Sequence, residues 1–252
     1  MCTVTWVRRA GGYELLFNRD ELKTRAEALP PRESETAGVR WIGPLDPDGG
    51  GTWIAANEAA LTIGVLNGNR AADDALRTWT SRGLLVPALA AGEDAEGVAQ
   101  ALRRIDLASY RSFRLLAISP GSPAMVAEWD RHALAIDAHA EARMPVVSSA
   151  FEESAVGNAR RAEFARIAGD GPPTLERLLA FHRSTEGGPS AFTVAMERPE
   201  AATRSLTHVS VGALDVVMRY HPGRPDLPAA ESMITLARTS RLARSSAPRG
   251  RP

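Results

Sequence analysis

The sequence predicts an α+β fold of antiparallel sheets and helices stacked in layers. Two observations carry this. Segments of strand and helix character alternate in blocks: strands, helices, strands, helices, strands. Short turns join the strands in pairs, which favours antiparallel pairing. With 252 residues, 44% of them hydrophobic, the chain can bury a sizeable core. No linker or repeat interrupts it, so one domain is expected over residues 1–230, followed by an Arg-rich, disordered tail over 231–252.

Cys2 to Val7 is β-branched and alternating, and Gly11-Gly12 marks a turn into a second strand at Tyr13 to Phe17. Residues 27–40 are rich in Pro and Glu and read as loop. Pro44 to Gly51 is a turn, and Thr52 to Ala56 with Ala60 to Leu66 forms another strand pair closed by Asn67-Gly68-Asn69. Ser81 to Ala91 and Ala95 to Ile105 have helical apolar spacing, separated by Gly92. Phe113 to Ser119, Met125 to Asp130 and Ala133 to Asp137 read as a strand meander, with Met144 to Ser149 as one more strand. Asn158 to Ala168 and Thr174 to Arg183 are amphipathic helices. Phe192 to Glu197, Ser205 to Val211 and Leu214 to Tyr220 are the last expected strands. The last acid is Glu231, and the arginines from Arg238 to Arg251 lie among Ser, Ala and Pro, as in a solvated tail. An interaction module gripping an anionic partner through that tail is the sharper alternative.

Charge and composition exclude several functions. Thirty basic residues balance thirty acidic ones, so a general electrostatic grip on nucleic acid or anionic membrane is not expected. Lys23 is the sole lysine, so a Schiff-base enzyme would have to use it, and the Gly-Lys-Ser/Thr of a phosphate-binding loop is absent. A single Cys excludes an intramolecular disulfide and a Cys-rich metal site. There is no signal-peptide stretch and no window suited to a membrane span. A soluble protein of a reducing compartment, the cytoplasm, is expected. Asp46-Pro47-Asp48-Gly49-Gly50-Gly51 imitates the start of a calcium loop, but position twelve is Asn57, where a bidentate Glu is needed. No dinucleotide fingerprint or serine nucleophile elbow occurs. The histidines at 132, 139, 182, 208 and 221 lack metal-ligand spacing, so no metal or resident cofactor is expected.

The sole Cys stands at position 2. The initiator Met is usually removed when the next side chain is small. Removal leaves Cys2 with a thiol and a free α-amine whose unperturbed pKa is about 7.7–8.0, a built-in general base. The alternative is a small buried hydrophobe at a strand start. A thiolate also needs positive charge nearby. Pairing through the Gly11-Gly12 turn returns residues 17–20 towards the terminus, so Arg19 comes within reach of Cys2, with Asp20 orienting Arg19 or the amine. The alternative is that Asn18-Arg19-Asp20 caps the next segment and forms a surface ion pair. Acyl transfer needs donors for an oxyanion, for which Asn67 is a candidate; an Asn-Gly turn is the competing reading.

Met1-Cys2-Thr3, Phe17-Asn18-Arg19-Asp20-Glu21 and Gly50-Gly51-Thr52-Trp53 together resemble the NRDE family, which includes the transport-and-Golgi-organisation-2 proteins. Leu66-Asn67, Ser81-Arg82-Gly83, Pro145 to Ser149 and Thr203-Arg204-Ser205 support the resemblance, which spans about residues 1–225. It implies an N-terminal-nucleophile-hydrolase-like αββα sandwich of two antiparallel sheets between helix layers. It also implies a cysteine amidohydrolase or acyltransferase site acting on a small-molecule amide: Cys2 as nucleophile, Arg19 beside it, Asp20 as the carboxylate near the amine and Asn67 on the oxyanion side. Asn18, Trp53 and Ser149 are the implied substrate contacts. Ser149 and Asn158 compete for the place of a second asparagine, and the Ser148-Ser149 match is better. Two departures stand out. Ala195-Met196-Glu197-Arg198 replaces the Cys-Met-His-Arg of many relatives, and Arg204 occupies a variable position. Family members have been linked to secretory organisation, lipid metabolism and haem handling, so a haem- or lipid-binding protein, with Cys2 as an axial ligand or pocket residue, is the second functional expectation.

Overall fold

The computed structural model describes residues 2–68, 78–169 and 171–239. The first two strands, β1 (Cys2–Arg9) and β2 (Gly12–Leu22), form the hairpin expected from the sequence. Next come β3 (Leu29–Thr36), β4 (Val39–Leu45), β5 (Ile54–Asn57) and β6 (Thr62–Asn67). A short helix α1 (Leu85–Leu89) and α2 (Ala95–Leu102) lead into β7 (Phe113–Ile118), β8 (Met125–Trp129), β9 (Leu134–Asp137) and β10 (Val146–Ser148). Helices α3 (Glu153–Ala168) and α4 (Leu175–His182) precede β11 (Ala201–Val211), β12 (Asp215–Pro222) and β13 (Ser232–Ala237).

The strands form two antiparallel sheets. The first has the order β10-β1-β2-β11-β12-β13, and the second runs β3-β4-β5-β6-β7-β8-β9. Helices α1 and α2 pack on the outer face of the second sheet, against β5 to β8, and α3 and α4 pack on β10, β1 and β2 of the first. The architecture is an αββα sandwich. No helix among the described residues is long and apolar enough to cross a membrane.

Strand alternation explains the two cores. Side chains of β1 and β2 point by turns to either face. Val4, Trp6, Tyr13, Leu15 and Phe17 enter the inter-sheet core. Leu16 faces outward and packs with Leu178, Leu206, Phe164 and Leu175 under the helices. Each such large apolar side chain, once buried, contributes roughly 1.5–3 kcal/mol. The sheets approach closely at Gly64, where a Cβ would stand 3.0 Å from the Phe17 ring. Tyr13 ties the sheets together by polar contact. Its hydroxyl lies 2.7 Å from Thr62 Oγ1 and 3.0 and 3.1 Å from the Ala60 and Ile118 carbonyl oxygens.

Four expectations are corrected. Residues 27–40 are not a loop but contain β3 and the start of β4. β3 is an edge strand, largely exposed, so it carries no apolar alternation, and its Pro30-Pro31 pair sits at a register shift between Leu29 and Arg32. Phe192 to Glu197 is not a strand. It wraps through bends held by Ser190 and Thr193 hydrogen bonds, and only Glu197 bridges, to Ala202. The helix expected over Ser81 to Ala91 is a 3-10 turn, Arg82–Leu84, running into the five residues of α1. The tail expected from residue 231 does not begin there. Ser232–Ala237 pairs with β12 and closes the first sheet, because Leu236 is buried while its neighbours stay outside. Residues 240–252 of the expected tail lie outside the described residues.

On the helix-facing side, Asn18 Nδ2 donates to the carbonyls of His182 (2.9 Å) and Val194 (3.1 Å). Its Oδ1 must then accept from His182 Nδ1 (2.9 Å), which leaves Nε2 to accept from the Thr5 hydroxyl (2.8 Å). Burial, reinforced by the Arg160 charge and by His208, pushes the His182 pKa down to about 3. The unfolded chain takes up a proton on this side chain near pH 6.5 and the folded chain does not. Stability contributed by neutral His182 is therefore full above about pH 6.5 and falls as pH drops towards 3. Chemical denaturation at pH 7 and pH 5 should differ by about 2 kcal/mol from this group, and His182→Gln should reduce that difference. Tyr13→Phe should cost ~1–3 kcal/mol in the same assay, since it leaves buried groups unpaired.

Candidate active site at the start of β1

The β1–β2 register places Cys2 opposite Arg19 and Thr3 opposite Asn18. On its other side, β1 pairs with β10, and Cys2 faces Ser148. Side chains of paired residues lie on one face, so Cys2 stands between Arg19 and Ser148. Cys2 and Arg19 line a cavity of about 270 Å³, together with Asp20, Glu21, Arg25, Asp46, Trp53, Val65, Asn67 and Arg82 among others. Four of the expected site residues, Cys2, Arg19, Asp20 and Asn67, thus converge, and Trp53 joins them.

Trp53 is positioned by backbone. Gly50 adopts φ +66°, and a Cβ on Gly51 would meet the Gly83 carbonyl oxygen at 2.3 Å. That close approach lets Thr52 N–H donate to Gly83 O at 3.0 Å and swings the Trp53 ring under Arg19, whose Cζ lies 4.6 Å from its centroid.

Arg19 is strongly engaged. Its Nη2 lies 3.4 Å from Asp46 Oδ2 and 3.6 Å from Glu21 Oε2. Asp46 also receives Arg25 at 2.6 Å. Burial works against the Asp46 charge, but Arg25 and Arg19 outweigh it and hold the carboxyl below its ordinary range. The sequence predicts Arg19 as the positive charge that favours a Cys2 thiolate. In the structure other influences on the thiol are larger. Burial pushes the Cys2 thiol up, the Asp20 charge adds to the rise, and the pull of Arg19 in the other direction is smaller. Its guanidinium is moreover already shared between two acids.

Asp20 belongs to two environments. Its backbone N–H bonds towards the Cys2 sulfur, while its carboxylate turns towards the helices. There Oδ1 accepts from Thr203 Oγ1 at 2.6 Å, and Oδ2 meets Arg160 Nη1 at 2.9 Å. Arg160 reaches in from α3 and also donates to Thr3 Oγ1 at 2.6 Å.

Other expected contacts lie elsewhere. Asn18 is buried on the opposite face of β2, where it secures His182, so it does not face the cavity. Ser149 does not line the cavity; it bonds the carbonyl and N–H of Phe151 in the turn before α3. Its neighbour Ser148 is the residue across from Cys2, fully buried, with a hydroxyl that has no hydrogen-bond partner. Asn158 is exposed on α3. Arg204 sits at the bulge in β11 and reaches Glu27 at 3.4 Å.

Sequence reasoning missed Arg160 and Asp46, and of the pair Ser148-Ser149 it settled on Ser149 where the register puts Ser148 opposite Cys2. A signal existed for the first. Val156, Arg160, Phe164 and Ala168 recur every four residues, so an arginine occupies a helix's inward stripe. Starting the helix at Asn158 hid Val156 and with it the stripe.

The fold is that of N-terminal-nucleophile hydrolases. The chain is similar to a penicillin V acylase from Agrobacterium tumefaciens, with a TM-score of 0.56 and 10% identity over 88% of this chain and 83% of that one. It is similar to an N-acylethanolamine-hydrolyzing acid amidase ortholog from Caenorhabditis elegans, with a TM-score of 0.59 and 13% identity over 90% and 94%. A mutant conjugated bile acid hydrolase from Clostridium perfringens gives a TM-score of 0.55 and 13% identity over 95% and 97%. Comparison with curated protein sequences gives no match. The family model described as Transport and Golgi organisation 2 matches residues 1–155, more than half of the sequence, and the chain belongs to that family.

Proposed function

We propose that the protein is an N-terminal cysteine amidohydrolase or acyltransferase for a small, polar amide, active once Met1 is removed. The observation that carries this reading is the Cys2 thiol on the wall of a cavity, paired in register with Arg19 and sharing that cavity with Asn67. In the reaction, Cys2 Sγ bonds to the amide carbonyl carbon while its proton passes to the Cys2 α-amine. The carbonyl oxygen becomes an oxyanion steadied by Asn67. Collapse breaks the C–N bond, and the leaving amine takes the proton. Water, or an acceptor amine, then cleaves the thioester and restores the thiol. A thiol kept protonated by burial suits this route, because the built-in base removes the proton only as the new bond forms.

The cavity supports the substrate class. At about 270 Å³ it lies just below the usual ~300–1,000 Å³ of small-molecule pockets, and its walls carry several arginines and carboxylates. Those features favour a compact, charged amide. They lend nothing to the alternative of a bulky apolar ligand such as haem or a lipid held at Cys2. Arg19 contributes positive potential beside the sulfur, and Trp53 and Val65 supply the apolar part of the wall.

Intact mass should find Cys2 at the mature N-terminus, and retention of Met1 would end this reading. Incubation with a panel of small charged N-acyl compounds should yield an acyl adduct on the native protein that is lost in Cys2→Ala. Asn67→Ala should slow adduct formation by ~10²–10³-fold.

A further inference from the structure

Asp20 and Arg160 form an ion pair in which both side chains are fully buried. The pair is unusual in its wiring. Arg160 Nη1 serves both Asp20 Oδ2 and Thr3 Oγ1, while its Nε and Nη2 reach no hydrogen-bond partner. Removing two charges from water costs several kcal/mol per ion, and an incompletely hydrogen-bonded pair returns less of that than well-packed apolar residues would. Stability alone is therefore a poor account of an arginine in the Val156–Phe164 stripe. The location offers a better one. The carboxylate it holds belongs to the residue whose backbone N–H bonds the Cys2 sulfur and which borders the cavity, and Arg160 reaches that carboxylate from α3.

We propose that Arg160 is a positioning residue for the Cys2 centre, fixing the Asp20 carboxylate behind the N-terminal residue through a buried ion pair. Its functional consequence rests on the reading of Cys2 as nucleophile. Burial holds the Cys2 thiol protonated and the Asp20 charge adds to that hold, so the sulfur ionises only as its proton passes to the base during attack. Every element packed around the pair leaves this assignment intact. β1 contributes Cys2 and the neutral Thr3, β2 contributes Arg19 and Glu21 on either side of Asp20, and β11 contributes the Thr203 hydroxyl. α4 contributes His182, which is neutral across the range of thiol titration, with His208 and Glu14 paired beyond it at 2.8 Å. From the cavity side stand Arg25, Asp46, Asp48, Arg82 and Arg111.

Cys2 is the only cysteine, so alkylation by iodoacetamide reports on it alone. The measurement is the pH midpoint of that reaction in the wild-type protein, Arg160→Lys, Arg160→Met and the double variant Arg160→Met/Asp20→Asn, each checked for folding by circular dichroism. In Arg160→Met the carboxylate loses the guanidinium that fixes it, its charge no longer opposes the thiolate from that place, and the midpoint falls by about 0.5–1 pH unit. Arg160→Lys restores a cation and the wild-type midpoint. The double variant buries neither charge and shows the same fall. A folded Arg160→Met with the wild-type midpoint overturns the proposal, as does an Arg160→Lys that falls equally. If Arg160→Met does not fold, the double variant decides: a lowered midpoint supports the proposal and an unchanged one overturns it. Intact mass on the same samples separates the two readings, because retained Met1 defeats the nucleophile while leaving the thiol midpoint to judge the ion pair.

Discussion

The antiparallel pairing of β1 with β2 is the constraint on which the site rests. Side chains along a strand alternate with a period of two, so the register decides which face each residue serves. Cys2 opposite Arg19 sends both into the cavity, and Thr3 opposite Asn18 sends both towards the helices. A slip of β2 by one residue against β1 would exchange its two sets, putting Leu15 and Phe17 under α3 and α4 and bringing Asn18 to the cavity. The inter-sheet core and the chemistry are therefore specified together: the apolar residues that demand burial lock the register that aligns the thiol and the guanidinium.

The same alternation gives Asn18-Arg19-Asp20-Glu21 its meaning. Asn18 fastens α4 through His182, Arg19 lies over Trp53 in the cavity, Asp20 reaches α3 through Arg160, and Glu21 returns to Arg19. Four consecutive polar residues thus connect the cavity wall to both outer helices. Their charges are not deployed as free groups. Each carboxylate and guanidinium has a counterpart, and the strongest influence on the sulfur is the loss of water around it rather than any single neighbour.

Much of this was legible in the sequence because local pattern and position carried it. The hairpin at residues 2–17, the meander from Phe113 to Asp137 and the layered α+β class follow from alternation and turn residues. The nearness of Cys2 and Arg19 follows from folding that hairpin about Gly11-Gly12. What was hidden depended on contacts distant in sequence. β3 has no buried face to betray it, and β13 is recognised only by its partner β12. Ser148 and Ser149 are equivalent on paper, and only the β1–β10 register separates them. Asp46 looked like part of a glycine turn, which it is, while its carboxylate joins Arg19 and Arg25 across more than twenty residues of chain.

The proline pair at the start of β3 has an effect beyond local geometry. A sheet's outermost strand exposes a row of backbone donors and acceptors that a second molecule can zip onto. Pro30 and Pro31 supply no N–H there, the register shift warps the rim, and Arg32, Glu33 and Glu35 surround it with charge. On this flank the two sheets, with thirteen strands among the described residues, present a border that resists the addition of a regular ladder by a neighbouring chain.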